Sequence, residues 1–382
     1  MLKKKMVVLV TVFCLCFLGG CADREKAESS SKVTENLEVN HADEFPKHMA
    51  KILPSGVEVA ADIDIPELDT REVSIYQGIP LEIDTKKMSR VLLSDQVTQH
   101  TEENGQGDES ESLCTYTDEN GAEIISIADK WVKFSTAKFA HIRTDFETEV
   151  ISERQKDFDF IDRKKADSEI KEILGSLGID VYSKYECISM DYMTLEEKNL
   201  EQYAGLEDVT EFQDDINILK AIPWSEEYDC YCFTYYGIVD GLKLDSQDRE
   251  TNDNVVPGSI IRAVYSKDGI QSLEISNIYV AQKEVEKKTL CIMDTVLSAI
   301  DRKYNSIILQ GDYKVNAMEL EYIADFRENG KGYLLLPVWK CSISHNYDTQ
   351  NKNSSEIINT EDNFVIYIDA ISGTEIYSGG NI

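Results

Sequence analysis

The groups with which this chain could build a reaction or a metal site are nine cysteines, five histidines and 71 acidic residues. The histidines are His41, His48, His100, His141 and His345, and none belongs to an H-E-x-x-H helix, so the usual zinc-protease site is not encoded. His41 and His48 stand near Asp43 and Glu44 in a polar stretch, which reads as solvated rather than metal-binding. Cys230 and Cys232 have neither a partnering CxxC nor a nearby histidine, as structural zinc would require. Cys341 and His345 could act as nucleophile and base only if the fold paired them. Gly175-Ser176-Leu177-Gly178 fails the G-x-S-x-G spacing, and no P-loop or dinucleotide fingerprint occurs. Acid pairs spaced for sugar hydrolysis arise by chance among so many carboxylates, so none can be singled out. The tyrosines of "EEYDCYCFTYY" beside Glu226 and Glu227 read as sheet packing rather than a sugar-stacking face. Asp240, Asp245, Asp248 and Asp253 lack the alternation of an EF-hand loop and read as an acidic surface loop. The expectation is therefore a protein that is not an enzyme, with no catalytic, cofactor-binding or metal residue.

One cysteine has a different setting. Lys3, Lys4 and Lys5 precede the uncharged run Met6–Phe17, and Leu18-Gly19-Gly20-Cys21 follows. A cationic start, a short apolar core and small residues before a break are the layout of a secretory signal peptide. As a helix the apolar run reaches only about 18 Å, short of a hydrocarbon core of about 30 Å. Leu18–Cys21 resembles the lipobox of bacterial lipoproteins. That resemblance implies cleavage before Cys21 and acylation (palmitate) at Cys21, leaving the protein lipid-anchored to the cell membrane on its extracytoplasmic face. Two or more acyl chains anchor stably where one does not.

The acids outnumber 39 basic residues, for a net charge of −32, and loss of the lysine-bearing leader makes the remainder more negative still. Phosphate neutralisation by such a chain is unfavourable, so no nucleic-acid partner is expected. Anionic lipid is disfavoured too, which leaves the lipid on Cys21 as the contact with the membrane. Six cysteines remain: Cys114, Cys187, Cys230, Cys232, Cys291 and Cys341. Residues i and i+2 of a strand point the same way, a poor geometry for a Cys230–Cys232 bridge, and mostly unbridged, buried thiols are expected.

Hydrophobic content of 42% suffices for packed cores. The expected organisation is a signal peptide over 1–20, a flexible tether over 21–49, a strand-rich region over 50–160, a helix-plus-sheet unit over 161–283 and a second over 284–382. Asn120-Gly121 and Lys267-Asp268-Gly269 mark hairpin turns. Ala166, Ile170, Ile173, Leu174 and Leu177 share a helix face, as do Leu290, Met293, Leu297, Ile300 and Tyr304. Met318, Leu320, Tyr322 and Ala324 alternate as in a half-buried strand, and Pro337 implies an edge or a bulge. The fold class expected is α+β: two consecutive units of a helix packed on an antiparallel sheet, preceded by the strand-rich N-terminal region.

On Pro337-Val338-Trp339 and Tyr367–Gly373, "YIDAISG", the third region resembles PepSY-like extracytoplasmic regulatory domains. The chain as a whole, with "AADIDIPELDTREVSIYQGIPLEID", is similar to an uncharacterised family of Gram-positive, clostridial-type surface lipoproteins. The resemblance implies non-catalytic protein binding or regulation at the cell envelope, with an envelope protein as partner. The alternatives are a solute- or glycan-binding lipoprotein, with a cleft lined by tyrosines and Trp224 or Trp339, and a hydrolase without a recognisable motif.

Overall fold

The computed structural model describes residues 45–66, 71–93, 97–104, 112–128, 130–146, 156–205, 212–250, 255–306, 310–326, 332–350 and 357–376. Residues 1–20, Cys21, His41 and Asp253 lie outside the described residues. In chain order the first strands are β1 (His48–Ile52), β2 (Glu58–Asp64), β3 (Glu72–Pro80), β4 (Val97–Asn104), β5 (Ser112–Asp118), β6 (Glu123–Ile127), β7 (Trp131–Ser135), β8 (Glu186–Met190) and β9 (Cys230–Tyr235). Four short ones follow: β10 (Ile238–Val239), β11 (Leu242–Lys243), β12 (Arg249–Glu250) and β13 (Val255–Val256). The rest are β14 (Ile260–Ser266), β15 (Gly269–Ser276), β16 (Tyr279–Thr289), β17 (Asp312–Phe326), β18 (Tyr333–Gln350), β19 (Ile357–Asp369) and β20 (Glu375–Ile376). The helices are α1 (Thr85–Leu92), α2 (Arg163–Ser176), α3 (Tyr192–Glu201), α4 (Gln213–Ala221) and α5 (Met293–Asn305).

Two eight-stranded sheets dominate. The first runs β1-β2-β17-β18-β19-β20, and β3 joins it by pairing with the start of β18 and with β16. Its β2–β17 ladder is parallel, with Val59 opposite Val315. The second runs β4-β5-β6-β7-β15-β14-β9-β8. Residues 50–160 thus supply strands to both sheets.

The α+β expectation is overturned: the protein is mostly β, the described residues forming 20 strands and five α-helices, with more than twice as many residues in strands as in helices. The physical reason is strand length and count. β17 and β18 run for 15 and 18 residues, and β11 and β12 form within the stretch around Asp240–Asp253 read as loop. Pro337 is not at an edge either. It sits inside β18, where the partner on one side changes from β3, ending at Leu335, to β19, starting at Val338. At that junction a missing N–H costs no ladder bond.

The helix faces form as the spacing requires. Ala166, Ile170 and Leu174 of α2 are buried against Tyr231, Phe233, Tyr235, Ile261 and Leu273 of the second sheet. Asp162 caps this helix by accepting from the Lys164 N–H, and Gly178, at φ +81°, follows its end. Val296, Leu297, Ile300 and Tyr304 of α5 pack on Trp339, Cys341 and Ile343 of the first sheet. Asp118 holds the Asn120-Gly121 turn by accepting from Asn120 and Ala122 N–H.

Residues 236–259 carry the chain from β9 to the first sheet. Asp240 and Gly241, at φ +51° and +80°, make the tight turn between β10 and β11. Leu244 then pairs with Tyr322 in parallel, and Asp245 N–H donates to the Tyr322 carbonyl at 2.8 Å. Asp245 is not a surface acid. Its side chain and that of Lys340 are 3% and 8% exposed, and Lys340 Nζ donates to its Oδ1 at 2.8 Å. Tyr367 OH donates to the other oxygen at 2.9 Å. Glu321 lies 3.7 Å from the same ammonium, and Lys243 Nζ lies 2.7 Å from its Oε1. Glu319, 3.8 Å from Lys243, makes the set two cations and three carboxylates. Burial would lower the pKa of Lys340, but Glu321 and Asp245 outweigh it and hold the ammonium above its ordinary range. Burial also pushes Glu321 up to about 7, only partly offset by Lys340 and Lys243. The directed bonds make Asp245 the anion that balances Lys340, with Glu321 as the surplus acid.

Removing one partner of a buried pair is costly, whereas replacing both by apolar groups is often neutral. Asp245→Ala is expected to lower the unfolding free energy by about 3 kcal/mol in urea titrations. Asp245→Leu combined with Lys340→Met should recover most of that loss; a double variant as weak as the single one would contradict the assignment. Glu321 yields a second expectation. Its folded value of about 7 stands above the unfolded one near 4.5, so its contribution is full below the unfolded value and lost as pH rises through 7. Glu321→Gln should flatten the fall in stability between pH 5 and 8 by roughly 2–3 kcal/mol, read as the difference from wild type.

Candidate functional site

The second sheet has two unlike faces. One is the apolar face under α1 and α2. The other changes character along its strands. Near one end Cys230, Met190, Ile188 and Val264 are buried beneath Leu195 of α3 and Tyr228. One row further the register sets charges side by side. Lys133 is opposite Glu274, Glu274 opposite Arg262, Arg262 opposite Thr234 and Thr234 opposite Glu186. Alternation along each strand puts all five on the face away from α2, since Val132, Phe134, Leu273, Ile275, Ile261, Ala263 and Phe233 occupy the other. Neighbouring side chains in such a row stand about 5 Å apart at Cβ.

Residues 136–146 leave β7 and cross this face as a strap. Phe139 and Ile142 are its apolar anchors, packed with Ile188, Leu195 and Val264. Its polar anchor is Asn199 of α3, fully buried. Asn199 Oδ1 accepts from the Arg143 N–H at 2.8 Å, and Nδ2 donates to the Arg143 and Leu195 carbonyls at 3.0 and 2.9 Å. Both backbone groups of Arg143 are therefore satisfied by one side chain. Asp145, further along the strap, accepts from Arg143 Nε at 2.6 Å. Burial would raise Asp145, but Arg143 outweighs it and holds the carboxyl below its usual range.

A cavity opens on each side of the strap. One, of about 280 Å³, is lined among others by Lys133, Arg143, Asp145, Asp215, Arg262 and Glu274. The second, of about 270 Å³, reaches Glu186, Cys232, Thr234 and Tyr236. Thr144, Asp145, Arg262 and Val264 border both, so the two are one groove divided by the strap. Within it Glu274 accepts from Trp131 Nε1 at 2.9 Å and stands 4.0 Å from Arg262. Among the described residues the Arg262 guanidinium has no hydrogen bond, and Lys133 has no carboxylate within 4 Å. Asp215 takes only a long bond, 3.5 Å, from Tyr203 OH. The groove offers donors for an anion and a carboxylate for a cation, a recognition surface rather than a nucleophile–base pair.

The residues singled out in the sequence lie elsewhere. Trp339 is fully buried and stacks on Phe45 at 5.7 Å, and Trp224 packs on Tyr228 at 5.2 Å; neither borders the two cavities. Tyr231 and Tyr235 are core residues. His345 Nε2 meets the Gln310 carbonyl at 2.5 Å, while Cys341 is buried and turned to the Trp339 carbonyl, so the two are not paired. His48 contacts Asp62 at 2.9 Å on an exposed edge. A Cys–His contact does form where none was sought: Cys114 Sγ is 3.4 Å from His100 Nε2, on an exposed hairpin, and neither residue lines the groove. No disulfide joins the described cysteines. Cys230 and Cys232 lie on one face of β9 with sulfurs 3.9 Å apart. Burial pushes the Cys187 and Cys341 thiols up to about 12, away from the thiolate that nucleophilic work needs. Among the described residues no group of three or more His, Cys, Asp or Glu could hold a metal ion, and no helix is long and apolar enough to cross a membrane. Cys21 lies outside the described residues.

Sequence reasoning passed over Lys133, Arg143, Asn199 and Arg262. The one local signal was Asn199, four residues after Leu195 on the apolar face of a helix.

No family model and no curated protein matches the chain. Its fold is similar to the crystal structure of an uncharacterized protein from Eubacterium rectale, with a TM-score of 0.64 and 16% identity over 87% of this chain and 94% of that one. The likeness concerns the fold.

Asn199→Ala would leave the Arg143 N–H and carbonyl without partners. Unfolding free energy is expected to fall by about 2–3 kcal/mol, and trypsin should cut the native protein after Arg143 faster than in wild type. Unchanged cleavage would show that Phe139 and Ile142 hold the strap without Asn199.

Proposed function

We propose that the protein is a non-catalytic binding protein, lipid-anchored through Cys21 on the extracytoplasmic face of the cell membrane, and that it holds a small polar solute in the strapped groove. The observation that carries the reading is Arg262: a guanidinium bordering both cavities, with no hydrogen bond to the protein, in a chain whose acids outnumber its bases by 32. In such surroundings a close carboxylate partner is easy to supply, and a guanidinium held only at 4.0 Å from Glu274 is a place for one from outside. Buried thiols of raised pKa and the separation of His345 from Cys341 weigh against a hydrolase.

Recognition of an envelope protein by strand addition is less well supported. The outer edge of β16, unpaired among the described residues, carries Lys283, Glu284, Glu286, Lys287 and Lys288. Charges along an edge oppose pairing with another chain.

The sequence supports the anchor. Phe45, the first described residue, is fixed against Trp339 with Arg71 over its ring at 5.6 Å. A span from Cys21 to that point has a contour of at most about 80 Å, so the groove would stay near the membrane. Wild type expressed in a lipoprotein-processing host should sediment with membranes and carry an acyl mass increment. Cys21→Ser should be unacylated and released; equal retention of both would remove the anchor. Ligand binding that survives Arg262→Gln and a cavity-filling Ser272→Trp would remove the groove.

A further inference from the structure

We infer that the groove takes a zwitterion of amino-acid or dipeptide size, its carboxylate on Arg262 and Lys133 and its ammonium on Asp215. The inference rests on the groove being the binding site and names what it binds.

The floor and the wall differ in charge. On the floor, Lys133 and Arg262 sit on β7 and β14, the strands flanking β15, so their Cα positions are about 10 Å apart. Glu274 stands between them in the same row, but Trp131 occupies one of its oxygens and its approach to Arg262 is 4.0 Å, too long for a hydrogen bond. Neither cationic head makes a hydrogen bond to a described residue, Arg262 having only the 4.0 Å ion pair with Glu274, and long side chains from alternate strands can converge above Glu274. A planar carboxylate matches the guanidinium fork with two parallel bonds and leaves an oxygen edge for the lysine.

On the wall, the anions are not equivalent. Asp145 is committed to Arg143 at 2.6 Å. Asp215, near the start of α4, receives only the long Tyr203 contact and is exposed. It is the carboxylate of the cavity with room for an ammonium, and Tyr203 OH supplies an acceptor beside it. A neutral sugar would leave Lys133 and Asp215 desolvated without charged partners and Arg262 with only the long Glu274 contact, which is unfavourable. A simple anion would satisfy the floor and leave Asp215 as a repulsive neighbour. A ligand bearing both charges satisfies both. The volume of about 280 Å³ is at the small end for ligand sites, which limits the ligand to one or two residues.

The test is isothermal titration of the full chain in detergent with Ala-Ala, N-acetyl-Ala-Ala, Ala-Ala-amide, glucose and N-acetylglucosamine, with circular dichroism to confirm that each variant is folded. Ala-Ala is expected to bind, and blocking either end to weaken it by about tenfold or more, the scale of one charge-assisted contact. Arg262→Gln should abolish the preference for Ala-Ala over its amide, and Asp215→Asn the preference over the acetylated form; Arg262→Lys should keep part of the first. Equal affinity for free and blocked dipeptides, or preferences that survive both substitutions, overturns the zwitterion assignment. If dipeptides fail while a sugar binds and Ser272→Trp abolishes that binding, the groove stands and the ligand class falls. If no probe binds, the zwitterion assignment falls. If a probe binds and Ser272→Trp leaves it unchanged, the groove falls with it.

Discussion

The Lys340–Asp245 pair is the constraint on which the arrangement of the two sheets depends. Residues 236–259 leave the second sheet after β9, and their route over the first is fixed by a charge that cannot remain unpaired there. Lys340 points from the middle of β18 into a region closed to water. A lone ammonium in that position would be strongly destabilising, so Asp245 must arrive. Its arrival brings Leu244 alongside Tyr322 and lets Tyr367 complete the carboxylate's bonding. The apolar neighbours Val239, Leu242, Leu244 and Val256 then join the core under α5. Hydrophobic burial supplies most of the driving force, but it is non-directional. The ion pair selects one register of the crossing segment from the many that would bury the same area.

The same segment connects that network to the groove. Tyr236, the residue after β9, donates to Glu186 at the end of the charged row, and Lys243 stands 4.4 Å from the Tyr236 ring centroid while contacting Glu321. Glu186 and Tyr236 border the second cavity. The groove floor and the buried network are therefore neighbours through two side chains. Burial and the bond to Glu186 both raise Tyr236, which keeps it a neutral donor at that junction.

What was legible in the sequence was local. Helix faces at 3.6 spacing and the caps and turns built by Asp118, Gly178 and Gly269 follow from neighbours within a few residues, whereas β17, read as half-buried, is buried on both faces at Glu321 and Ile323 as well as at Leu320, Tyr322 and Ala324. The fold class was misread because strand count and length depend on partners far away. Residues 240–253 look like an acidic loop since Leu242 and Leu244 are sparse among polar residues, and only contact with β17 makes them strand or core. The parallel pairing of Val59 with Val315 joins residues more than 250 positions apart, and no composition rule announces it. Asp245 was misjudged for the same reason. A carboxylate in a run of carboxylates reads as surface until the lysine that claims it is known.

The groove was illegible in a stricter sense. Each of its charges sits at a polar position of an alternating strand, the expected place for a solvated residue, and nothing within β7, β14 or β15 distinguishes Lys133, Arg262 or Glu274 from any other outward-facing charge. Their meaning comes from register, which places three such positions in one row, and from the strap, which shields the row without satisfying it. The strap in turn depends on Asn199, because a backbone segment that crosses a sheet face without belonging to the ladder must find other partners for its N–H and C=O groups. Phe139 and Ile142 hold it down by burial, while the amide of Asn199 sets its height above the sheet. A strap lying lower would close the cavities, and one lying higher would expose Ile188 and Val264. The open guanidinium of Arg262 is thus a consequence of where one asparagine fixes the backbone of Arg143.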